Sequence, residues 1–417
     1  MISVKDALSK ITAACNVLPS EIVSLEKASG RVLAQHVSAR RTQPPYPVSA
    51  MDGYALKAGD ITSLPSQFTL IGESVAGKSF SSSVKKGEAV RIFTGARLPN
   101  GSDCVIIQEN ALLNKSKGLV TVKVSAKPGA YVRPAGLDFK TGDELLLSGT
   151  WINARVLGLA AAMNIPWLRV RRKPRVAILC SGDEIVLPGE PIGDDQIVSS
   201  NGIALASAIR GFGGHPIQIG IAKDNQESII KGITSASDVD LLVTTGGASV
   251  GDHDLVREAL ELAGLKLDFW KISMRPGKPL MFGSIAGTNV MGLPGNPVSS
   301  LICAQIFIQP AIKKMLGLLK DSSEEYSIAR ILSPLPSNDE REDYLRAKLS
   351  FSDDGILQVD PYNKQDSSMN SILAKSDCLV VREPNAPSAI VGDLVKILRL
   401  DHRMPTILLS FTTKHNS

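Results

Sequence analysis

The sequence predicts a multidomain chain joining a parallel-rich α/β domain to smaller β domains, and three observations carry that expectation. Short β-prone runs broken by Gly, Pro, Asn and Ser turns fill residues 50–147; strand runs alternate with helical patterns from Val176 to about residue 320; short β runs return over Tyr326–Leu400. Turn-separated short strands specify all-β domains, whereas regular strand–helix alternation specifies βαβ units. With 417 residues the chain has room for roughly two to four domains.

In chain order, Val4, Ala7, Leu8, Ile11, Cys15 and Leu18 recur at three- and four-residue steps behind Ser3, a fitting N-cap, so an amphipathic helix opens the chain. The Pro-rich joint QPPYPVS at 43–49 leads into the first β domain, 47–147, with strands expected around Phe68–Ile71, Ala89–Ile92, Cys104–Gln108 and Leu119–Val124. After Trp151, NARVLGLAAAMNI reads as a buried helix unlike its neighbours, expected to pack back on the N-terminal helix. That makes a discontinuous linker domain of 1–46 and 148–173. The run RVRRKPR at 169–175 is expected to be a solvated entry segment. Residues 174–322 then hold the α/β domain, with Gly213-Gly214 ending one helix and Asn296-Pro297 opening another. A second β domain spans 323–402, and 403–417 is a tail with no evident role.

Composition narrows the function. A net charge of +5 and only 5% aromatic residues make nucleic acid a poor partner, since stacking platforms are scarce. Five dispersed cysteines without a CxxC pair suit a reducing cytosol and no thiolate metal site. Lys5, Asp6 and Lys10 stand where an export signal needs an apolar core, and the uncharged stretch Pro279–Ile312 is broken by Gly and Pro, so neither export nor a membrane span is expected. The five histidines show no zinc spacing, no Ser–His–Asp triad is supported, and neither GxxxxGK[ST] nor GxGxxG occurs.

Ligands of α/β sheets bind beyond the carboxyl ends of the strands. Four such ends carry polar clusters: Ser181, Gly182, Asp183 and Glu184 after the first strand; Asp224 after PIQIGIA; Thr244, Thr245, Gly246, Gly247, Ser249, Asp252 and Asp254 in TTGGASVGDHD; and Pro294, Gly295, Asn296, Pro297 and Ser299 in LPGNPVSS. Each alone is an ordinary turn or cap. Converging in one sheet, they point to an anionic, nucleotide-like ligand. The loop KISMRPGKPLMFG adds Lys271, Arg275 and Lys278, read either as cations facing that crevice or as a solvated basic hairpin. In the first β domain Asp52-Gly53, Thr94-Gly95, and Arg133 and Asp138 around Gly136 read by themselves as turn chemistry.

Seven segments, SAMDGYA (49–55), RIFTGA (91–96), AGLDFKTGDELL (135–146), CSGDEI (180–185), TTGGASVGDHD (244–254), MRPGKPLMFG (274–283) and GLPGNPVSS (292–300), resemble the molybdopterin molybdenumtransferase family (MoeA, and the E domain of gephyrin), in the family's order over nearly the whole chain. The resemblance implies a MogA-like α/β domain, a C-terminal β-barrel and a homodimer. It also implies the reaction, insertion of molybdate into adenylyl-molybdopterin with release of AMP and with Mg²⁺, and partners among other molybdenum cofactor biosynthesis proteins. The rival readings are an adenylyltransferase-like nucleotide-binding enzyme and a non-catalytic dimeric scaffold.

Carried over onto matching positions, the family's acidic set falls on Asp52, Asp138, Glu184, Asp224 and Asp254, with Glu184, Asp224 and Asp254 as metal ligands. Thr94, Lys271, Arg275 and Lys278 join the reacting set. Arg133, Ser181, Gly182, Asp183, Thr245, Gly246, Gly247, Ser249, Pro294, Gly295, Asn296, Pro297 and Ser299 line the substrate, and Ser367 and Ser368 match a serine-rich barrel loop near the pterin. Leu137, Pro47-Val48 and Arg275 stand where the family often has Glu, Asp-Asn and, in some members, Lys; none of these removes an acidic position.

Overall fold

The computed structural model describes residues 1–236, 238–246, 255–318 and 326–400. Two compact units emerge, one of Ile22–Val170 and one of Met1–Glu21 with Arg171 onward. Helix α1 (Val4–Ala14) begins as expected, its Ser3 Oγ accepting the Asp6 N–H at 3.0 Å, and it ends at Ala14, whose carbonyl accepts the Asn289 side-chain amide at 3.2 Å. It buries Val4, Ala7 and Ile11, the two larger side chains contributing about 2 kcal/mol each.

Within Ile22–Val170, strands β1 (Gly53–Leu56), β2 (Ser66–Ser74), β3 (Glu88–Ile92), β4 (Cys104–Ile107), β5 (Ala111–Asn114) and β6 (Leu119–Val122) form one sheet in the order β4-β1-β3-β2-β6-β5. All its pairings are antiparallel except β2–β3. Helix α2 (Ala154–Ala162), capped by Asn153, packs on the turn Leu25–Lys27, and a separate core joins Ala28, Leu33 and Val37 to Phe139, Ile152, Met163 and Val170. The N-terminal helix is not part of this core. It packs on the helical stretch Ala304–Met315 of the other unit's sequence, so the grouping of 1–46 with 148–173 divides near residue 21. The expectation failed because an apolar helical face does not specify which face it meets.

The other unit continues with β7 (Arg175–Ser181), α3 (Asn201–Gly211), β8 (His215–Ala222), α4 (Gln226–Ser235), β9 (Leu241–Thr245), α5 (Leu255–Leu262), β10 (Lys266–Trp270), β11 (Met274–Arg275), β12 (Met281–Ile285), β13 (Thr288–Leu293), α6 (Pro297–Cys303) and α7 (Gln309–Met315), with a π-helical turn at Ala304–Ile308 between the last two. The sheet order is β8-β7-β9-β13-β12-β10, the first four strands parallel, β12 antiparallel to β13 and β10 antiparallel to β12. A Cβ on Gly232 would touch Leu179 and one on Gly202 would touch Cys180, and adjacent strand residues point to opposite faces, so α4 and α3 cover the two faces. Pro279–Ile312 is strand, strand and helix, and no described helix is long and apolar enough to cross a membrane.

The chain then forms β14 (Tyr326–Ile331), β15 (Glu342–Phe351), β16 (Leu357–Pro361), α8 (Asn370–Ala374), β17 (Cys378–Arg382) and β18 (Leu394–Arg399). The order β15-β16-β14-β18-β17 closes through β15–β17 pairing into a five-stranded barrel, and β11 adds in parallel to β15. Closure leaves no free edge among these five strands. The basic run at 169–175 is not solvated as expected: Arg172 makes a two-pronged pair with Asp240 at 2.7 and 2.9 Å, Asp240 also accepts the Arg175 N–H, and Arg171 donates to Leu18 O at 3.1 Å.

Gly53 opens the inner strand β1 of the small sheet, where a Cβ would lie 2.0 Å from the Ile106 carbonyl oxygen. Gly53→Ala is expected to cost about 2 kcal/mol or more, whereas Gly59→Ala, with nothing within 4 Å, is expected to be silent. Denaturant melts of the two variants test this; equal stability would show that the sheet yields.

Candidate functional site

Parallel register sets the site. Ser181 pairs with Ala222, Cys180 with Thr245, and Thr245 with Leu293, so the turns starting at Ser181, Lys223, Gly246 and Pro294 leave the sheet side by side. Two glycines allow this crowding. Gly246 has φ +97° and a Cβ there would meet the Ser181 carbonyl oxygen at 2.0 Å; Gly182 has φ +147° and a Cβ would meet the Glu184 carboxylate at 2.4 Å. Ser181, Gly182, Asp183, Glu184, Asp224, Thr245, Gly246, Pro294, Gly295, Asn296, Pro297 and Ser299 are therefore gathered at one edge, as expected. Gly247, Ser249, Asp252 and Asp254 lie outside the described residues.

The buried Thr245 hydroxyl is the centre of this edge. It donates to Pro294 O at 3.1 Å and accepts the Asn201 side-chain amide at 3.0 Å, while that amide also reaches Gly295 O at 2.7 Å. Asp183 and Asp224 lock their two turns reciprocally: the Asp183 N–H reaches Asp224 Oδ2 at 3.4 Å, and the Asp224 N–H reaches Asp183 Oδ1 at 3.1 Å. At this edge the Ser181 hydroxyl and Asp224 Oδ1 are buried without a hydrogen-bond partner among the described residues. Buried polar atoms are rarely left so, and a donor-capable hydroxyl together with a carboxylate oxygen at one edge suits an oxyanion with its cation.

The barrel contributes its serine loop. Ser367 Oγ accepts the Asn296 side-chain amide at 2.8 Å and Ser367 O accepts the Val298 N–H at 3.2 Å; Asn370 donates to Ser200 Oγ at 3.2 Å. Ser368 instead turns to Asp366, donating N–H and O–H at 2.9 and 2.6 Å, and these bonds hold the Asp366 carboxyl below the usual range.

The loop cations do not act as three alike. Arg275 is committed to Asp343, its closest partner, and to Asp339 at 3.1 Å. Burial pushes the Asp343 carboxyl up, while hydrogen bonding to Asp343 pushes the Arg275 guanidinium up. The Lys271 ammonium lies 3.8 Å over the Trp270 ring, and Lys278 is exposed. Of the three cations expected to face the crevice or form a solvated hairpin, Arg275 is thus ion-paired to Asp339 and Asp343, which fold beside it.

Asp52, Thr94, Arg133 and Asp138 belong to the unit Ile22–Val170. Asp52 Oδ1 accepts both the N–H and the hydroxyl of Thr94, each at 2.8 Å. The backbone bond first, then the hydroxyl and the nearby Arg91, hold its carboxyl below the usual range. Arg133 and Asp138 are exposed around the left-handed Gly136, with the Asp138 N–H bound to Gln43 O at 3.0 Å.

Sequence patterning missed Asn201, Asn370 and the acidic partners of Arg275. Asn201 opens a helix, where an Asn reads as a cap, and nothing local shows that its amide spans two strand ends.

Family profiles match most of the chain: the MoeA N-terminal region (domain I and II) over residues 2–164, a probable molybdopterin binding domain over 177–314, and the MoeA C-terminal region (domain IV) over 329–400. A molybdopterin molybdenumtransferase from Nostoc sp. is 36% identical over 91% of this chain and 89% of its own length. The chain belongs to the molybdopterin molybdenumtransferase family. A second relative of that name, from Haemophilus influenzae, is 33% identical over 92% of this chain and 94% of its own length. Two solved molybdopterin biosynthesis MoeA proteins from Pyrococcus horikoshii, 30% and 26% identical, superpose with a TM-score of 0.81 each over 96% of this chain and 99% and 100% of theirs. The α/β domain with its curled sheet and the closed five-stranded barrel are thus the architecture of this molybdopterin molybdenumtransferase family member.

In this family member Asp52 is held ionised by donors, so its bond to Thr94 stabilises the fold above the ordinary carboxylate pKa and is lost as pH falls through the lowered value. Thr94→Val removes the hydroxyl but keeps the N–H. The Asp52 titration, followed by NMR, is expected to move upward without reaching the unperturbed range; an unmoved midpoint would show that the hydroxyl contributes nothing.

Proposed function

We propose that the chain is a Mg²⁺-dependent transferase that inserts molybdate into adenylyl-molybdopterin and releases AMP. The observation that carries this reading is that Ser181 Oγ and Asp224 Oδ1 are buried with no partner among the described residues, at an edge that Glu184 and the seated Ser367 also reach. The substrate's dithiolene sulfurs bind the metal, so the protein needs no thiolate. Its cysteines fit that division of labour: all five are buried, and burial pushes the thiols of Cys15, Cys104 and Cys378 up to about 11, 12 and 12.

What remains for the protein is positioning and charge control. Asn296 and Ser367 orient the pterin end, Thr245 and Asn201 fix the edge on which the pyrophosphate lies, and Lys271 and Lys278 offset its charge. Mg²⁺ characteristically keeps several waters and takes one or two carboxylates plus substrate phosphates, a demand that Asp224 and Glu184 fit, with Asp254 as a further candidate. Bound there, it supplies charge neutralisation for the departing AMP. The family resemblance implies a homodimer, and we propose that the chain forms one. The dispersed, reduced cysteines suit the cytoplasm.

Purified protein given adenylyl-molybdopterin, Mg²⁺ and molybdate is expected to release AMP without ATP and to yield a cofactor that activates an apo-molybdoenzyme. Chelation is expected to stop it, and Asp224→Asn to slow it at least about 10-fold. No AMP release from adenylyl-molybdopterin, with ATP and molybdopterin instead yielding adenylyl-molybdopterin and pyrophosphate, would make the chain an adenylyltransferase; neither reaction would make it a scaffold.

A further inference from the structure

Strand β16 ends at Pro361, and its ladder with β15 ends at the Ala347–Pro361 pair. The chain then leaves the barrel to form the serine loop. Beyond that point the Tyr362 N–H still donates to Arg346 O at 3.0 Å, and one side chain supplies the rest of the pairing. Gln365 Oε1 accepts the Arg346 backbone N–H at 2.9 Å and the Arg346 Nε–H at 3.2 Å, while its Nε2 donates to Arg346 O at 3.0 Å and Tyr362 O at 2.7 Å. Every capacity of the amide is used, its oxygen against two donors and its nitrogen against two acceptors, so its orientation is unambiguous. The amide oxygen stands in for the Tyr362 carbonyl as the acceptor of the Arg346 N–H, while the amide nitrogen binds that carbonyl.

Arg346 is 1% exposed, and its guanidinium reaches Met369 O at 3.2 Å and Lys364 O at 3.5 Å, the carbonyls flanking the loop. Between those ties the loop presents Ser367 to Asn296 and Val298. The Val298 N–H is among the first of helix α6, which have no partner within the helix, so Ser367 O is what satisfies it.

We propose that Gln365 is a positioning residue: by extending the β15 ladder with its side-chain amide, it fixes Arg346 and so seats Ser367 where the pterin substrate is held. The inference rests on the function proposed above for its substrate, and on geometry alone for the seating. Gln365 touches no reacting group and acts only through Ser367.

The test uses full-length Gln365→Leu, Gln365→Glu and Ser367→Ala, with the double variant of Gln365→Leu and Ser367→Ala. Gln365→Glu keeps the shape and the accepted bonds but loses both donated ones. Both Gln365 variants are expected to raise KM for adenylyl-molybdopterin at least about 5-fold with kcat held within about twofold, the pattern of lost binding rather than lost chemistry. Adding Ser367→Ala to Gln365→Leu is expected to raise KM little further, since both act through one contact. Independently of turnover, the Val298 amide is expected to exchange with solvent at least about 10-fold faster in Gln365→Leu. Unchanged KM, fully additive effects, a fall in melting temperature with KM unmoved, or an unchanged Val298 exchange rate would each overturn the proposal. A wild type that releases no AMP would instead sink the functional reading, and the exchange rate would still decide the seating.

Discussion

The α/β unit depends on one close approach: between the Ser181 carbonyl and Gly246 there is no room for a side-chain carbon. Parallel strands in register force it, since β7 and β9 end abreast and their turns must cross the same edge. Only glycine tolerates both the contact and the left-handed backbone that Gly246 adopts. Once the two turns are this close, the Thr245 hydroxyl lies within reach of Pro294 and Asn201, and the Asp183 and Asp224 turns bind each other through backbone N–H groups.

Charge is distributed with the same economy. Asp52 stands at a turn where the Thr94 donors stabilise its carboxylate, and the thiols are sunk where burial keeps them protonated. Arg275 carries a full charge but spends it on Asp343 and Asp339, so it ties β11 to the barrel rather than meeting a ligand alone. Asp343 shows why the tie holds. Removing Arg275 would leave a buried carboxylate without its partner, the costly half of a broken ion pair.

The barrel is closed by hydrogen bonding and opened by its loop. Strand pairing around the ring satisfies the backbone, and the loop that interrupts it must find other partners for its polar groups. It finds them in Arg346 behind and in Asn296 and Val298 ahead. A functional loop thereby rests on a rigid support, which limits the entropy to be lost when a ligand binds.

Features set by local backbone demands were legible in the sequence. Ser3 caps α1, Asn296-Pro297 opens α6, and the strand–helix alternation yields the parallel sheet, because periodicity and turn chemistry act over a few residues. The four strand ends were legible for the same reason, each being a short run of Gly, Ser, Thr and Asp after an apolar strand. Pairings over long separations belonged to the tertiary structure. Arg172 finds Asp240 and Arg275 finds Asp343 across 68 residues each, and Asn201 reaches Gly295 across 94. A charge or an amide shows its capacity to bond but not its partner, so RVRRKPR read as solvated, and Asp343 and Asp339 did not show as partners of Arg275. The N-terminal helix met the same limit, its apolar stripe fitting more than one face until folding placed it beside Gln309–Met315.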